Sequence, residues 1–222
     1  MDKPIFQSDL VTIYCADSLH LLDKLTFSAF VSDPPYGVSF KGKQTKHTKP
    51  SGGYTTHDSD VGIDVITKCL SMVDRGAVFT GCRLLQKYPV ASDIGCVYCP
   101  SGAGRGPWGF TCFNPVLFYG KRPGGPKSPS SLVSFNTVER GIDHPCPKPI
   151  EWMTWLLSIV AKPDDVILDP FAGSGTTLQA CRILGIKSIG IEIDPEYCEV
   201  AISRVTQPLI FEDKQIQESL EF

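Results

Sequence analysis

Asp33, Pro34, Pro35 and Tyr36 form a tetrapeptide whose groups could hold an amine on a planar ring. The tetrapeptide follows an apolar run, 27–32, that is typical of a buried strand, and two prolines cannot continue a strand or a helix. Asp33 offers a carboxylate acceptor, and Pro34 offers a carbonyl that the next proline, lacking an N–H, cannot satisfy. Tyr36 offers a face on which a base could stack. We interpret the tetrapeptide as a rigid clamp for a ring amine.

A second candidate site lies in residues 166–177, where an apolar strand ends at Asp169 and a turn of small residues leads into a helix. Gly173 and Gly175 allow the backbone to approach a ligand closely, as in nucleotide-binding turns. Glu192 follows Gly173 by 19 residues, close to the spacing at which an acid binds ribose hydroxyls. No lysine follows the glycines, and two acids would repel a phosphate. A cationic ligand that carries a ribose is favoured.

Together, the two motifs resemble those of DNA amino-methyltransferases that use S-adenosylmethionine, in the permuted order in which the catalytic tetrapeptide precedes the cofactor loop. The resemblance covers Leu10 to Gly37 and His144 to Arg204. It implies that the tetrapeptide 33–36 is catalytic. The residues that it implies for cofactor binding are Asp17, Ser18, Asp33, Lys148, Asp169, Phe171, Ala172, Gly173, Ser174, Gly175, Thr176, Glu192 and Ile193.

Two further segments carry the resemblance. Residues 14–18 look like the family's segment that reaches the cofactor adenine, with Asp17 as the acceptor for its amino group. Residues 144–149 resemble His-Pro-Thr-Gln-Lys-Pro, which opens the helix that packs over the methionine end of the cofactor. Cys146 and Pro147 depart from that pattern, whereas Lys148 and Pro149 match it.

The expected chemistry follows from the weakness of an aromatic amine as a nucleophile, because its lone pair is delocalised into the ring. If Asp33 and the Pro34 carbonyl accept its two hydrogens, the nitrogen moves towards tetrahedral geometry and can attack the sulfonium methyl in line. In a duplex, the target base must first be flipped out. The predicted substrate contacts are Tyr36 with Trp108 or Phe113 for stacking, and Lys41 and Lys43 for the DNA backbone.

The charge distribution is consistent with a double-stranded DNA partner, although the formal net charge is -3. Residues 212–222 carry four acids and one lysine, so residues 1–211 sum to zero. Residues 75–148 hold nine Lys or Arg and three Asp or Glu, a local excess of +6. Phosphate binding depends on such clustering more than on the total charge. A solvated loop without a partner is the alternative for the lysines near residue 45.

Composition indicates a globular protein of 222 residues with 42% hydrophobic and 20% charged residues. No apolar stretch is long enough to span a bilayer and no signal segment begins the chain, so we expect a cytoplasmic protein. Nine cysteines are expected to be reduced thiols. Cys96 and Cys99 lie in apolar runs with irregular outer spacings, which favours buried thiols over a zinc knuckle, and no metal site is predicted.

Strands alternate with helices, which predicts a mostly parallel α/β sheet with helices on both faces and ligands at the strand carboxyl ends. The resemblance implies the Rossmann-like fold of S-adenosylmethionine-dependent methyltransferases. We expect one domain, 1–222, with a target-recognition insertion at about 83–140 and a mobile loop at about 38–60. The predicted strands are 10–14, 27–33, 77–80, 113–119, 166–169 and 188–193, and the predicted helices are 18–25, 61–73, 150–162, 176–184 and 195–205.

The leading functional interpretation is methylation of adenine N6 in DNA, since in the family that the motifs resemble an Asp rather than a Ser at the start of the clamp favours adenine over cytosine. Cytosine N4 in DNA stays open as the first alternative, followed by an RNA or protein amine and by a non-catalytic binding module. Pro145-Cys146 is also found in enzymes that methylate the cytosine ring carbon, but that chemistry has no use for the clamp. A homodimer is expected only because dimers are common in this family.

Overall fold

A computed structural model of the chain describes residues 3–35, 56–99, 104–106, 109–124, 133–134 and 148–209. The helices are α1 Ser18–Leu21, α2 Thr56–Met72, α3 Ile150–Val160, α4 Thr176–Ile183 and α5 Pro195–Thr206, with a 3-10 turn at Leu22–Lys24 after α1. The strands are β1 Phe6–Gln7, β2 Val11–Cys15, β3 Ala29–Ser32, β4 Gly76–Phe79, β5 Asp93–Tyr98, β6 Gly104–Gly106, β7 Gly109–Thr111, β8 Phe113–Tyr119, β9 Val133–Ser134, β10 Val166–Asp169 and β11 Lys187–Glu192.

Nine of the strands form one sheet in the order β1-β2-β11-β10-β3-β4-β8-β5-β9, while β6 and β7 pair as a separate hairpin. The five central strands from β2 to β4 are all parallel, whereas β8 pairs antiparallel with both β4 and β5. The carboxyl ends of the five parallel strands therefore share one edge of the sheet, which we call the carboxyl edge.

Both faces of the sheet are covered, as the alternation of side chains along β3 shows. Ala29 and Val31 join the core that holds α3 and part of α4, whereas Phe30 joins the core that holds α1 and α2. A smaller cluster under α5 continues the first of these faces through Val11 and Ile13. The predicted mostly parallel α/β sheet with helices on both faces is confirmed.

The strand order reverses between β10 and β3, because the chain adds its next strand to opposite sides of the sheet after each of them. The chain runs from β10 through α4 to β11 on one side, and from β3 through α2 to β4 on the other. Since α4 and α2 lie on opposite faces, a crevice opens at the carboxyl edge between these two strands. Ligands of open α/β sheets bind at such a position.

Local sequence signals explain the ends of the helices near this edge. Asp194 caps α5 by accepting a hydrogen bond from the Glu196 amide at 2.8 Å, and Pro195 occupies the first helical position. Gly175 precedes α4 with a φ of 80°, a left-handed conformation that favours glycine. The predicted helices at 176–184 and 195–205 are confirmed to within a residue at each end.

Two predictions about chain organisation need correction. The loop predicted at about 38–60 lies outside the described residues up to 55, but α2 already begins at Thr56. The polar residues of its first turn carry no apolar periodicity, which is why the sequence did not reveal the helix there. The segment 83–140 was predicted as an insertion, yet β5 and β8 within it are strands of the central sheet. The run 113–119 is a strand, as predicted.

None of the helices within the described residues is long and apolar enough to cross a membrane. The eight cysteines among the described residues are free thiols. The described residues contain no group of three or more His, Cys, Asp or Glu side chains that could hold a metal ion.

Candidate active site

Four carboxylates follow one another along the carboxyl edge. Asp17 comes after β2, Glu192 ends β11, Asp169 ends β10 and Asp33 comes after β3, and these four strands are consecutive neighbours. Because neighbouring strands lie about 4.8 Å apart, this row of acids extends for roughly 14 Å. Asp169 and Asp33 flank the crevice between β10 and β3.

The turn from β10 to α4 is tied by hydrogen bonds to the chain at the ends of β11 and β2. The Ala172 amide donates to the Ile191 carbonyl at 2.9 Å, and the Gly173 amide donates to Glu192 Oε2 at 2.8 Å. The buried Ser18 hydroxyl, which follows β2, donates to the Pro170 carbonyl at 2.5 Å. The small residues of the turn are thus held at the ends of β2 and β11. We call the turn, residues 170–175, together with the adjoining ends of these two strands, the cradle.

Glu192 is fixed by backbone donors on both of its oxygens. The Gly173 amide bonds to Oε2, and the Asp194 amide bonds to Oε1, each at 2.8 Å. Burial raises the pKa of Glu192, while these amides oppose the shift. Since each carboxylate oxygen has a second lone pair, a pair of hydroxyl donors can still bind there. This is the arrangement that a ribose diol needs.

Two glycines let the helices approach the cradle. A Cβ at Gly190 would lie 2.6 Å from Leu178 Cδ1 and 3.0 Å from Ala172 Cβ. A Cβ at Gly175 would lie 2.9 Å from Ala201 Cβ, against α5. Both positions therefore need a residue without a side chain, and Gly175 needs it for its positive φ as well.

Asp169 is a buried acid, with 2% of its surface exposed. Its Oδ1 accepts hydrogen bonds from the Ser32 hydroxyl at 2.7 Å and from the Phe171 amide at 3.0 Å. Burial raises the pKa of Asp169 to about 6, against the hydrogen bonds from Thr177, Ser32 and Phe171. The Ser32 bond joins the strand that ends at Asp33 directly to the strand that ends at the cradle.

Asp33 is paired with Lys148. The distance from Lys148 Nζ to Asp33 Oδ2 is 2.9 Å, and the two side chains are 8% and 22% exposed. Burial raises the pKa of Asp33, and the charge and hydrogen bond of Lys148 oppose that rise. Lys148 Nζ also lies 5.5 Å from the centre of the Phe79 ring at the end of β4. The ammonium thus lies at the ends of β3 and β4, against the first residue of the clamp.

The proline platform after Asp33 is braced by α2. A Cβ at Gly62 would lie 3.3 Å from Pro34 Cβ and 3.7 Å from both the Pro35 carbonyl oxygen and the Tyr88 hydroxyl, so α2 approaches the platform closely at this glycine. Within the described residues, the Pro34 carbonyl oxygen accepts no hydrogen bond. Asp33 and this carbonyl therefore present two acceptors beside the crevice.

The predicted cofactor residues lie together around the cradle. Ile193 is 67% exposed directly after Glu192, where it offers an apolar surface. Asp17 is exposed and uses Oδ1 to cap α1 through the Leu19 amide at 2.8 Å. Thr176 accepts a hydrogen bond from Arg204 at 3.1 Å. The remaining members of the cradle are Ser18, Phe171, Ala172, Gly173, Ser174 and Gly175.

The predicted substrate residues are only partly described. Tyr36, Lys41, Lys43 and Trp108 lie outside the described residues. Phe113 begins β8 at the carboxyl edge and is 42% exposed, with the 40% exposed Tyr98 as its cross-strand partner.

Three residues near the clamp were not found from the sequence: Ser32, Gly62 and Tyr88. Ser32 is the one polar residue at the end of an apolar strand, a signal that could have suggested a buried hydrogen bond. Gly62 lies within a helix, where a glycine costs about 1 kcal/mol against alanine and so suggests a close contact. Tyr88 carried no pattern that would have singled it out.

The chemistry of the cradle can be compared with that of S-adenosylmethionine. Its acids suit a ligand with a positive charge and ribose hydroxyls, and the exposed Ile193 next to Glu192 suits a planar base. Glycine at positions 175 and 190 keeps the turn close to the sheet. The residues present therefore fit this cofactor.

Comparison with known proteins points to one family. Residues 108–203 match the family model described as DNA methylase. The DNA adenine methyltransferase YhdJ of Escherichia coli (strain K12) is 36% identical over 98 residues, which cover 40% of this chain and 33% of that protein. The Type II methyltransferase M.HindIII of Haemophilus influenzae is 40% identical over 73 residues, covering 33% of this chain and 23% of that protein. The matches thus span a third or less of these relatives.

Solved structures share the fold over most of the chain. A structure of the M1.HpyAVI-SAM complex has a TM-score of 0.65 at 21% identity, covering 88% of this chain and 100% of that chain. The PvuII DNA methyltransferase, described as cytosine-N4-specific, has a TM-score of 0.70 at 17% identity, covering 99% of this chain and 95% of that chain. The Rossmann-like methyltransferase fold is therefore confirmed.

Proposed function

We propose that the chain is a DNA amino-methyltransferase, which transfers a methyl group from S-adenosylmethionine to an exocyclic amine of DNA. The match of residues 108–203 to the DNA methylase family model and the partial identity to YhdJ and M.HindIII support this proposal. The finer proposal is that this amine is N6 of adenine. The order of the acids along the carboxyl edge is the observation that carries the proposal: Asp17, Glu192 and Asp169 line the cradle, and Asp33 comes next. A cofactor that lies along the first three would bring its reactive end to the fourth.

The acids at the β2 and β11 end of this row would bind the cofactor. Asp17 and Ile193 would bind the base of the cofactor, and Glu192 would bind its ribose through the two oxygens that the backbone holds in place. Gly173 and Gly175 leave room for it in the turn. When bound, this cofactor supplies an electrophilic methyl group on a positively charged sulfur.

The clamp acts on the amine. Asp33 and the Pro34 carbonyl accept its two hydrogens, which draws the nitrogen lone pair out of the ring and stabilises positive charge on the nitrogen. The prolines hold these acceptors rigidly, so little reorganisation is needed when the amine arrives. The flipped base stacks on Tyr36, which the same tetrapeptide positions.

The partner that we propose is double-stranded DNA. Lys41 and Lys43 would bind its phosphates, and Trp108 or Phe113 would stack with the flipped base. A homodimer belongs to the proposal only through the family resemblance.

The direct test is methylation of duplex DNA by the purified protein with tritiated cofactor, followed by identification of the modified nucleoside. N6-methyladenine is the expected product. If the product is N4-methylcytosine, the proposed role of the clamp still holds but the adenine assignment is refuted. Methylation of RNA or protein in place of DNA would refute the proposed substrate.

The role of Asp33 can be tested separately. Asp33→Ala removes one of the two acceptors, and we expect methyl transfer to fall by about 10²–10³-fold, the usual cost of one preorganised group. The affinity for S-adenosylhomocysteine, measured calorimetrically, should stay near that of the unmodified protein. Asp64→Ala changes an exposed acid on α2 and is the matched control. Unchanged turnover in the Asp33 variant would contradict the assignment.

A further inference from the structure

Lys148 contacts the amine clamp directly, whereas the family resemblance assigns it to the cofactor. Its Nζ atom lies 2.9 Å from Asp33 Oδ2 in a position where only 8% of the lysine is exposed. The residue lies two positions before α3, next to the buried Pro149 at the N-cap position of that helix. Phe79 lies under the ammonium at 5.5 Å and is fully buried.

The charge state of Asp33 decides whether the clamp can work. As a carboxylate it accepts hydrogen bonds on both oxygens, whereas protonation turns one oxygen into a donor and leaves a neutral, weaker acceptor for the amine and for Lys148. Burial favours the protonated form, and the pKa of Asp33 is raised accordingly. The positive charge of Lys148 and its hydrogen bond to the carboxylate oppose this rise.

The titratable groups that face Asp33 come from three directions. Lys148 approaches from the segment before α3, Asp169 from the end of β10 and Tyr88 from the turn after β4. Among the described residues in these positions, Lys148 alone is a cation. Asp169 and Tyr88 are acids, so their ionised forms would repel a carboxylate at Asp33.

We propose that Lys148 is a positioning residue of the clamp, whose ammonium keeps Asp33 a carboxylate and orients it for the incoming amine. This inference rests on the proposed function, because it takes a ring amine as the group that Asp33 accepts. The carboxylate can bind both partners at once, since Oδ2 has a second lone pair beyond the one that Lys148 uses. The lysine therefore need not leave when the base enters.

The first test compares pH profiles of kcat/KM for the unmodified protein, Lys148→Met and Lys148→Arg. Loss of an opposite charge within about 4–6 Å raises the pKa of a carboxyl by about 1–3 units, so the acidic limb of Lys148→Met should move to higher pH by that amount. Lys148→Arg keeps the charge and should keep the limb close to its original position. Lys162→Met, at the exposed far end of α3, is the matched control and should leave the limb unmoved.

A second measurement does not depend on activity. The side-chain carboxyl of Asp33 can be titrated by carbon NMR in the cofactor-free protein, with its signal assigned by its loss in Asp33→Asn. The midpoint should be higher in Lys148→Met than in the unmodified protein. If Lys148→Met does not fold, Lys148→Gln takes its place, because it keeps a polar end group without the charge.

The outcomes separate the inference from the function on which it rests. If the unmodified protein methylates no DNA, the proposed function fails, while the NMR titration still tests the pairing. An unchanged Asp33 midpoint in Lys148→Met would overturn the inference. If the same variant also lost affinity for S-adenosylhomocysteine, Lys148 would be a cofactor ligand only. A raised midpoint with unchanged affinity would support the positioning role.

Discussion

The burial of Asp169 predicts that this acid destabilises the cofactor-free protein at neutral pH. Its pKa is raised from 3.8 to about 6, chiefly by burial. Because the folded-state pKa lies above the unfolded value, folding favours the protonated carboxyl. The stability linked to this group is fully present below about pH 4 and is lost as the pH rises through about 6.

Asp169→Asn removes that ionisation while keeping an oxygen that can accept from Ser32 and Phe171. One pKa unit is worth about 1.4 kcal/mol, so a rise from 3.8 to about 6 corresponds to about 3 kcal/mol over the full range. Between pH 4.5 and pH 8, about 2 kcal/mol of this should be observable. The asparagine variant should therefore gain that much stability relative to the unmodified protein across this interval.

Urea unfolding of both proteins without cofactor, followed by far-ultraviolet circular dichroism at several pH values, measures the effect. The change with pH of the difference between the two unfolding free energies is the quantity to compare, because every pH-independent effect of the substitution drops out of it. The lost repulsion between Asp169 and Asp33 would change the difference in the same direction. Asp164→Asn, at an exposed turn position with a φ of 66° that asparagine tolerates, is the control and should show no such trend. A difference that stays constant from pH 4.5 to pH 8 would refute the reasoning.

Two further predictions concern packing and the substrate. Gly190→Ala places a methyl 2.6 Å from Leu178 Cδ1 and should lower the free energy of unfolding by about 1–3 kcal/mol, whereas an unchanged urea midpoint would contradict the close approach of α4. Tyr36→Ala should weaken the binding of DNA with an extrahelical target base by about 1–3 kcal/mol in a fluorescence titration, with S-adenosylhomocysteine affinity unchanged. Normal DNA affinity in this variant would remove Tyr36 from the base site.

The sequence predicted the parts of the site that depend on local patterns. Asp33 and Asp169 were recognisable because each follows an apolar run that ends abruptly, and the start of α5 was recognisable from Asp194 and Pro195. These signals arise within a few residues of each other, since caps, turns and strand ends are set by neighbouring side chains.

Contacts between distant parts of the chain were not predictable in this way. Lys148 and Asp33 are separated by 115 residues, and no pattern in either segment indicates that they meet. The residue type of Lys148 suited a cofactor ligand as well as an ion pair, and the ion pair becomes evident only in the folded structure, where Lys148 lies beside Asp33 and Phe79. The start of α2 at Thr56 was missed because its first turn is polar, and its stability comes from the apolar residues that follow.

The hydrogen bond from Ser32 to Asp169 explains why the order of the two motifs along the chain matters little to the site. The residues are separated by 137 positions in the sequence, yet β3 and β10 are neighbours in the sheet, and the bond crosses between their carboxyl ends at 2.7 Å. A site at the carboxyl edge depends on which strands are adjacent and not on which is translated first. The clamp and the cradle therefore share one buried contact, so a change in the charge of Asp169 is felt at Asp33, as the mutual repulsion of these two acids indicates.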